Sequence, residues 1–331
     1  MRGEENAPNT IIRVRVDEVK YVIAKAPGSI ANLGPGFDIL SIAISGVYDI
    51  VEVFSTSGNG KIYVDSKGFD VPSGESNVAY TVAKSFIEKY DIKNVDLYIK
   101  VVKGVPPASG LGSSGATSAA TAFALAKLFQ INISNNELLY LSGLGEAFAA
   151  GSPHYDNVAA SLFGGFNIID INKNRVYNIK PNNMKINIAI VIPKIAELQG
   201  KKKTEYARSL LPKQIDLDIH IKQTSALAKL IYAIFNNDLD ILGEAISTDF
   251  IVEPHRAKMI PYYYELKKLA FEYGALGFNI SGAGPSIFTI HKTSEEARYV
   301  GEKLSGFLNN KGIECSFIVS YVSESGAELI R

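Results

Sequence analysis

The 331-residue chain is sparing with reactive side chains: one cysteine, four histidines and no tryptophan. With Cys315 alone, no disulfide can form within the chain, and a reducing compartment is the simplest reading. There is no excess of charge of either sign, since 34 Lys and Arg face 34 Asp and Glu. That argues against a dedicated nucleic-acid binder, which carries a clear basic excess, and against a polybasic membrane-surface protein. No apolar run approaches the ~20 residues needed to span a bilayer. Residues 1–20 mix charges of both signs and lack the apolar core of a signal peptide. Arginine is scarce, at eight residues against 26 lysines. His220, His255 and His291 show no metal-ligand spacing, and neither H-E-x-x-H nor C-x-x-C occurs. A soluble, cytoplasmic protein of about two domains is expected, with no nucleic-acid or membrane partner. What the chain has in quantity is glycine, 28 residues, several of them clustered.

Residues 1–18 read as an N-terminal extension with a strand-like stretch at 11–16. Strands are expected at 21–26, 39–54 (one or two), 61–65 and 95–102, with a turn-rich loop over 27–38. Helices are expected at 77–89 with Ser76 as N-cap, 113–129, 135–149 with Ser134 as N-cap, and a short one ending near 162. Strand and turn follow over 164–174. From 185 the pattern restarts, with strands at 186–192, 275–280, 286–290 and 314–321. Helices fall within 203–211, 217–235, 238–246, 261–273 and 295–308. In the second of these, Leu217, Ile221, Ala228, Ile231 and Phe235 read as a core-facing stripe. Strands and helices mix without strict alternation, which favours α+β over a doubly wound sheet. The polar stretch Lys180-Pro181-Asn182-Asn183 marks a domain boundary: 19–180, then 181–331.

The clearest glycine cluster is Pro106-Pro107-Ala108-Ser109-Gly110-Leu111-Gly112-Ser113-Ser114-Gly115-Ala116. Small residues between a strand and a helix start let backbone N–H groups approach an anion, and the helix dipole adds to the attraction. A tight strand–helix turn explains the same composition. The segment formally satisfies G-x-G-x-x-G, but the dinucleotide fold would need a further strand with an acidic end, and here a second helix follows. The lysine of a Walker A loop is missing, and H-R-D and D-F-G do not occur.

The string resembles the ATP loop of the GHMP kinases. The earlier segment Pro27-Gly28-Ser29-Ile30-Ala31-Asn32-Leu33-Gly34-Pro35-Gly36-Phe37-Asp38 is similar to the opening motif of the homoserine kinase branch, with Gly28 in place of the usual alanine. Ser281-Gly282-Ala283-Gly284-Pro285-Ser286 resembles the third glycine loop of the same superfamily. The resemblance implies an α+β GHMP kinase fold, with an N-terminal ribosomal S5-like domain and a C-terminal ferredoxin-like domain. Between them ATP, Mg²⁺ and L-homoserine would meet. A homodimer is common in the family. A sibling kinase acting on mevalonate or a sugar, and a metabolite sensor that has lost catalysis, are the competing readings.

Ser114 at the helix start and Glu146 in an otherwise small and apolar stretch match the family's magnesium ligands; on its own, Glu146 also reads as an edge carboxylate reaching solvent. Arg208, in Thr204-Glu205-Tyr206-Ala207-Arg208, and Arg256, in Glu253-Pro254-His255-Arg256, resemble substrate-carboxylate motifs, although a lone arginine is more often a surface ion pair. By the same resemblance Asn32 and Asp38 meet the ammonium and hydroxyl end of the substrate, and Thr204 and His154 line its pocket. Asp38 alone reads as a loop cap and His154 as a packing residue. Asn157 stands where sibling families carry an aspartate base, so the hydroxyl is expected to attack without a strong base, oriented by Asn157, with Asp38 as the fallback base. Asn77 resembles a residue near adenine and equally reads as a helix start. Lys201–Lys203 reads as a solvated loop, with a possible role in steering anions.

Overall fold

The computed structural model describes residues 20–151, 153–180, 185–198 and 203–330. The expected extension 1–18 with its strand-like 11–16, the boundary residues 181–183, and Lys201 and Lys202 of the basic run lie outside the described residues.

The strands are β1 (Lys20–Ala31), β2 (Leu40–Ser57), β3 (Ile62–Gly68), β4 (Val95–Lys103), β5 (Phe166–Asp170), β6 (Arg175–Ile179), β7 (Asn187–Pro193), β8 (Gly277–Ile280), β9 (Ile287–His291), β10 (Cys315–Tyr321) and β11 (Glu328–Leu329). The helices are α1 (Val78–Lys89), α2 (Ser113–Leu128), α3 (Asn135–Ala150), α4 (Tyr155–Phe163), α5 (Lys203–Ser209), α6 (Leu217–Asn236), α7 (Leu239–Ile246), α8 (Glu253–Arg256), α9 (Tyr263–Glu272) and α10 (Ser294–Asn310). One sheet runs β11-β1-β2-β4-β3, with β5 on the far part of β2 and β6 beside β5. Among the described residues only β3 and β4 pair in parallel, across α1, and the other strand pairs are antiparallel. The second sheet runs β10-β7-β9-β8. Mainly antiparallel sheets with helices gathered on their faces make the α+β class expected from the pattern.

Three local readings needed correction. β1 runs on to Ala31, through the first five residues of the expected 27–38 loop, because a register shift between Pro27 and Ser29 lets the strand pass its proline and glycine. The cap of α1 is Asn77, whose Oδ1 accepts from Ala79 N at 2.9 Å; Ser76 belongs to a preceding 3₁₀ turn. On α6 the core face is Gln223, Ala226, Leu230, Ala233 and Ile234, whereas Leu217, Ile221 and Phe235 are 71%, 56% and 66% exposed. Most of the expected stripe thus faces outward, with Ile231 partly buried against the core, because α6 packs against α7 and the core through the face that carries Leu230, Ala233 and Ile234.

Helix α2 is buried on nearly every side and rich in alanine, glycine, serine and threonine. Its small side chains let it sit buried between the first sheet and helices α1, α3 and α4. Strand β4 alternates in burial along its length, and that period carries its last residue, Lys103, onto the core face. One hydrophobic cluster combines Ile30, Ile42 and Ala116 from the first half with Ile188, Leu230 and Phe288 from the second. The two sheets therefore share a packed core, and the three glycine segments are brought together at its rim.

Candidate active site

Helix α2 begins at Gly112, which has φ +65° and offers no side chain to cap the helix. The first internal bond is Ala116 N to Gly112 O, at 2.8 Å, so the amides of the opening turn lack helical partners. Side-chain oxygens cap α1, α3, α7 and α10, whereas α4, α6, α8 and α9 share with α2 the lack of a side-chain cap; what sets α2 apart is its burial and the glycine loop in front of it. An uncapped amide cluster at the end of a buried helix is the donor set an oxyanion needs.

The preceding loop is braced by its own hydroxyls: Ser109 Oγ donates to Pro106 O at 2.7 Å and Ser113 Oγ to Val105 O at 2.8 Å. Beneath it lies a buried ion pair. Lys103 Nζ donates to Asp49 Oδ2, to Ser113 O at 2.9 Å and to Thr117 Oγ1 at 2.9 Å. Asp49 Oδ1 accepts from the amides of Gly104 and Val105, both at 3.0 Å. Strand register put Lys103 there, but nothing in the linear sequence linked it to Asp49 on the neighbouring strand.

Ser114 Oγ donates to Glu146 Oε2 at 2.5 Å, joining the start of α2 to α3. Glu146 is buried, not an edge residue, and burial raises its carboxyl above the usual range, opposed by the Ser114 bond and by Lys103 and Lys203. His154, just before α4, places Nδ1 3.8 Å from Glu146 Oε1. Burial lowers the imidazole, with Asp38 opposing and Arg208 and Arg256 adding to the shift, so this contact is not between full charges at neutral pH. Asn157 faces the cradle. Its Oδ1 accepts from Ser29 Oγ at 2.9 Å, and a Cβ on Gly112 would lie 2.0 Å from Ser29 Oγ and 2.9 Å from Asn157 Oδ1. The neighbouring Asp156 is buried, which pushes its carboxyl up to about 7. Ser29 and Asp156 were not singled out in the sequence.

A second group surrounds Phe37. The guanidinium of Arg208 sits 5.3 Å and that of Arg256 4.9 Å from its ring centroid. Arg208 donates to both oxygens of Asp38, at 2.8 and 3.0 Å. Arg256 is buried and donates through Nη1 to Gly282 O at 2.8 Å and through Nε to Ala207 O at 3.4 Å. Burial lowers it to about 10, so it stays a cation at neutral pH. Asn32, at φ +76°, donates through Nδ2 to the same Gly282 O at 2.9 Å and accepts from Asp38 N at 3.1 Å. The opening motif, the third glycine loop and the two arginine segments thus share hydrogen bonds.

The third loop also docks on the first: Ser281 Oγ donates to Gly110 O at 2.8 Å and Ser286 N to Ser109 O at 3.1 Å. Thr204 is half-buried near the start of α5, with no hydrogen bond to this cluster. Asn77 is the outlier. Its amide is occupied at both ends, by the cap to Ala79 N and by a 2.7 Å bond to Pro72 O. Lys203, expected in a solvated loop, is 8% exposed and donates to Gly284 O. Its long aliphatic stem carries no sequence mark of burial.

No group of three or more His, Cys, Asp or Glu residues arranged to hold a metal exists among the described residues. Two cavities, of about 470 and 390 Å³, lie against the C-terminal segment around Ser325 and Glu328, away from this cluster. No helix among the described residues is long and apolar enough to cross a membrane.

The chain as a whole has counterparts among known proteins. The GHMP kinases N-terminal domain pattern matches residues 77–165, and the GHMP kinases C-terminal pattern matches residues 230–310. The chain is 41% identical to the homoserine kinase of Methanococcus maripaludis over 277 residues, 83% of this chain and 89% of that protein. It is 38% identical to the homoserine kinase of Aeropyrum pernix over 282 residues, 84% of this chain and 88% of that protein. The crystal structure of homoserine kinase from Cytophaga hutchinsonii superimposes with a TM-score of 0.85 at 31% identity, covering 94% of this chain and 98% of that one.

Proposed function

The chain belongs to the GHMP kinases, and within them to the homoserine kinases; from that premise we propose that it transfers the γ-phosphoryl group of ATP to the side-chain hydroxyl of L-homoserine. The products are ADP and O-phospho-L-homoserine, a step towards threonine. The observation that carries this reading is the junction at Gly282 O, where Asn32 and Arg256 meet beside the Asp38–Arg208 pair. It lies next to a glycine loop that ends in an uncapped helix.

Phosphoryl transfer asks mainly for positioning and charge neutralisation. The loop Pro106–Ala116 and the opening turn of α2 would receive the phosphates through backbone amides. Asn77 would set the base end of that site by holding the start of α1. Ser114 and Glu146 fit a divalent cation: two hard oxygens side by side, one on a buried carboxyl that lacks a full counter-charge. Ser114 and Glu146 would hold Mg²⁺ there, and the bound ion would supply neutralisation of phosphate charge.

An amino-acid zwitterion is complementary to the Asp38–Arg208 pair, with its ammonium on Asp38 and its carboxylate shared by Arg208 and Arg256. Asn32, His154 and Thr204 complete the pocket, and Asn157 orients the hydroxyl. The hydroxyl oxygen bonds to the γ-phosphorus as the bond to the β,γ-bridging oxygen breaks, and ADP leaves with the electron pair. Asn157 cannot take the proton, so it passes to an oxygen of the transferred phosphoryl group. We read residues 19–180 as the nucleotide-binding domain and 181–331 as its partner, with β11 returning to the first sheet. The lone Cys315 fits a cytoplasmic setting, and sedimentation of the purified chain tests the homodimer.

The test is ADP release with homoserine, mevalonate, galactose and threonine side by side. Turnover with homoserine is expected; turnover with another acceptor in its place overturns the reading.

A further inference from the structure

Lys203 opens α5 with its side chain turned inward. Its Nζ donates to Gly284 O, and among the described residues it forms no ion pair. An ammonium has three donors, and a buried one without a counter-charge is costly to hold. The place where it is held is specific. Gly284 O lies at the seam between the third glycine loop and the phosphate loop, since a Cβ built on Gly110 would fall 2.8 Å from it. Arg256 donates to Gly282 O two residues away. The charges that act on Lys203 are Arg256, from the substrate half of the site, and Glu146, from the phosphate half. Burial and Arg256 together push its amine down to about 7, and an anion at Nζ would offset both effects and hold it as the ammonium.

We propose that Lys203 is a further catalytic residue of the phosphoryl transfer, its ammonium contacting the terminal phosphate of ATP and neutralising charge on the group in flight. The proposal rests on the kinase reading above. In the transfer the γ-phosphorus gains a bond to the acceptor oxygen and loses its bond to the β,γ-bridging oxygen, which departs on ADP with the electron pair. Lys203 forms and breaks no covalent bond and keeps its proton. A terminal phosphate supplies the counter-charge that Gly284 O cannot. ADP lacks that phosphate, so the contact separates ATP from ADP.

A purely structural role, bracing the third loop through Gly284 O, makes a different prediction. Lys203→Gln keeps a donor for that carbonyl and removes the charge; Lys203→Met removes both; Lys203→Arg keeps charge and donor. If Lys203 neutralises the phosphoryl group, Gln and Met both lower kcat by about a hundredfold or more, and Arg recovers part of it. The KM for homoserine stays within about threefold of wild type. By calorimetry, affinity for a non-hydrolysable ATP analogue falls about tenfold or more while ADP affinity holds. Folding midpoints stay level or rise, since removing an unpaired buried charge relieves desolvation. Wild-type kcat in Lys203→Gln, or equal losses for the analogue and ADP, overturns the proposal. The binding comparison needs no acceptor, so it decides the role of Lys203 even if wild type proves inactive on homoserine. Such inactivity counts against the functional reading alone.

Discussion

Gly110→Ala isolates the contact between the phosphate loop and the third glycine loop. Gly110 sits at φ +91°, where an L-residue is strained by about 1–2 kcal/mol. The larger effect is steric. A Cβ there would lie 2.4 Å from Ser281 O and 2.8 Å from Gly284 O. Both are backbone atoms, so no side chain can rotate away. Restoring ordinary contact at 3.4 Å requires the loops to part by about 1 Å. Ser281 Oγ on Gly110 O and Ser286 N on Ser109 O are then stretched. A displacement of 1 Å within a reacting array costs about a hundredfold in rate. The variant should therefore lose about a hundredfold in kcat, measured by homoserine-dependent ADP release, and at least the ~1–2 kcal/mol of backbone strain in stability by denaturant unfolding. Gly306→Ala is the control: it lies inside α10, with nothing within 4 Å of the added methyl. It should keep wild-type kcat and gain about 0.5–1 kcal/mol. A folded Gly110→Ala variant with kcat within about threefold of wild type would refute the claim that the two loops form one site.

Lys103→Met leaves the fully buried Asp49 carboxylate without its cation, and a loss of about 3–5 kcal/mol is expected in urea unfolding; a loss under about 1 kcal/mol would mean that the pair does not support the loop. Arg256→Lys gives up the planar fork that reaches both Gly282 O and Ala207 O, so the KM for homoserine should rise about 10- to 100-fold with the KM for ATP little changed; the reverse pattern would move Arg256 to the nucleotide. Asp38→Asn should act chiefly on homoserine KM, because Asp38 engages Arg208 through both oxygens; loss of kcat alone would make it the base. His291 is fully buried, and burial pushes its imidazole down to about 4. A folded pKa below the unfolded value of about 6.5 stabilises the fold above pH 6.5, and this is lost as pH falls towards 4. In His291→Gln, the acid-side fall in stability should shrink by up to about 3 kcal/mol across that window; an unchanged profile would place the acid transition elsewhere.

Much of this protein could be read from the chain because the relevant physics is local. Strand alternation, the Ala-rich run of α2 and the Ser134 cap depend on residues a few positions apart, and each element formed near its expected place. The motifs at 27–38, 106–116 and 281–286 were likewise legible, since glycine and proline record backbone demands directly. The errors came where partners are distant in sequence. The stripe on α6 had helical period, but which face is buried depends on where α7 packs. Asn77 took the cap from Ser76 because the preceding 3₁₀ turn sets the helix start.

Charge shows the division most sharply. The chain by itself pointed to local anion binding, because 34 cations balance 34 anions and leave no net basic charge. It also nominated Ser114, Glu146, Asp38, Arg208 and Arg256 by motif. Only the tertiary structure decided that Asp38 faces Arg208, that Asp49 neutralises Lys103, and that Lys203 lies buried at Gly284 O. Desolvation and pairing belong to a charge's surroundings in space, and long-range packing supplies those surroundings.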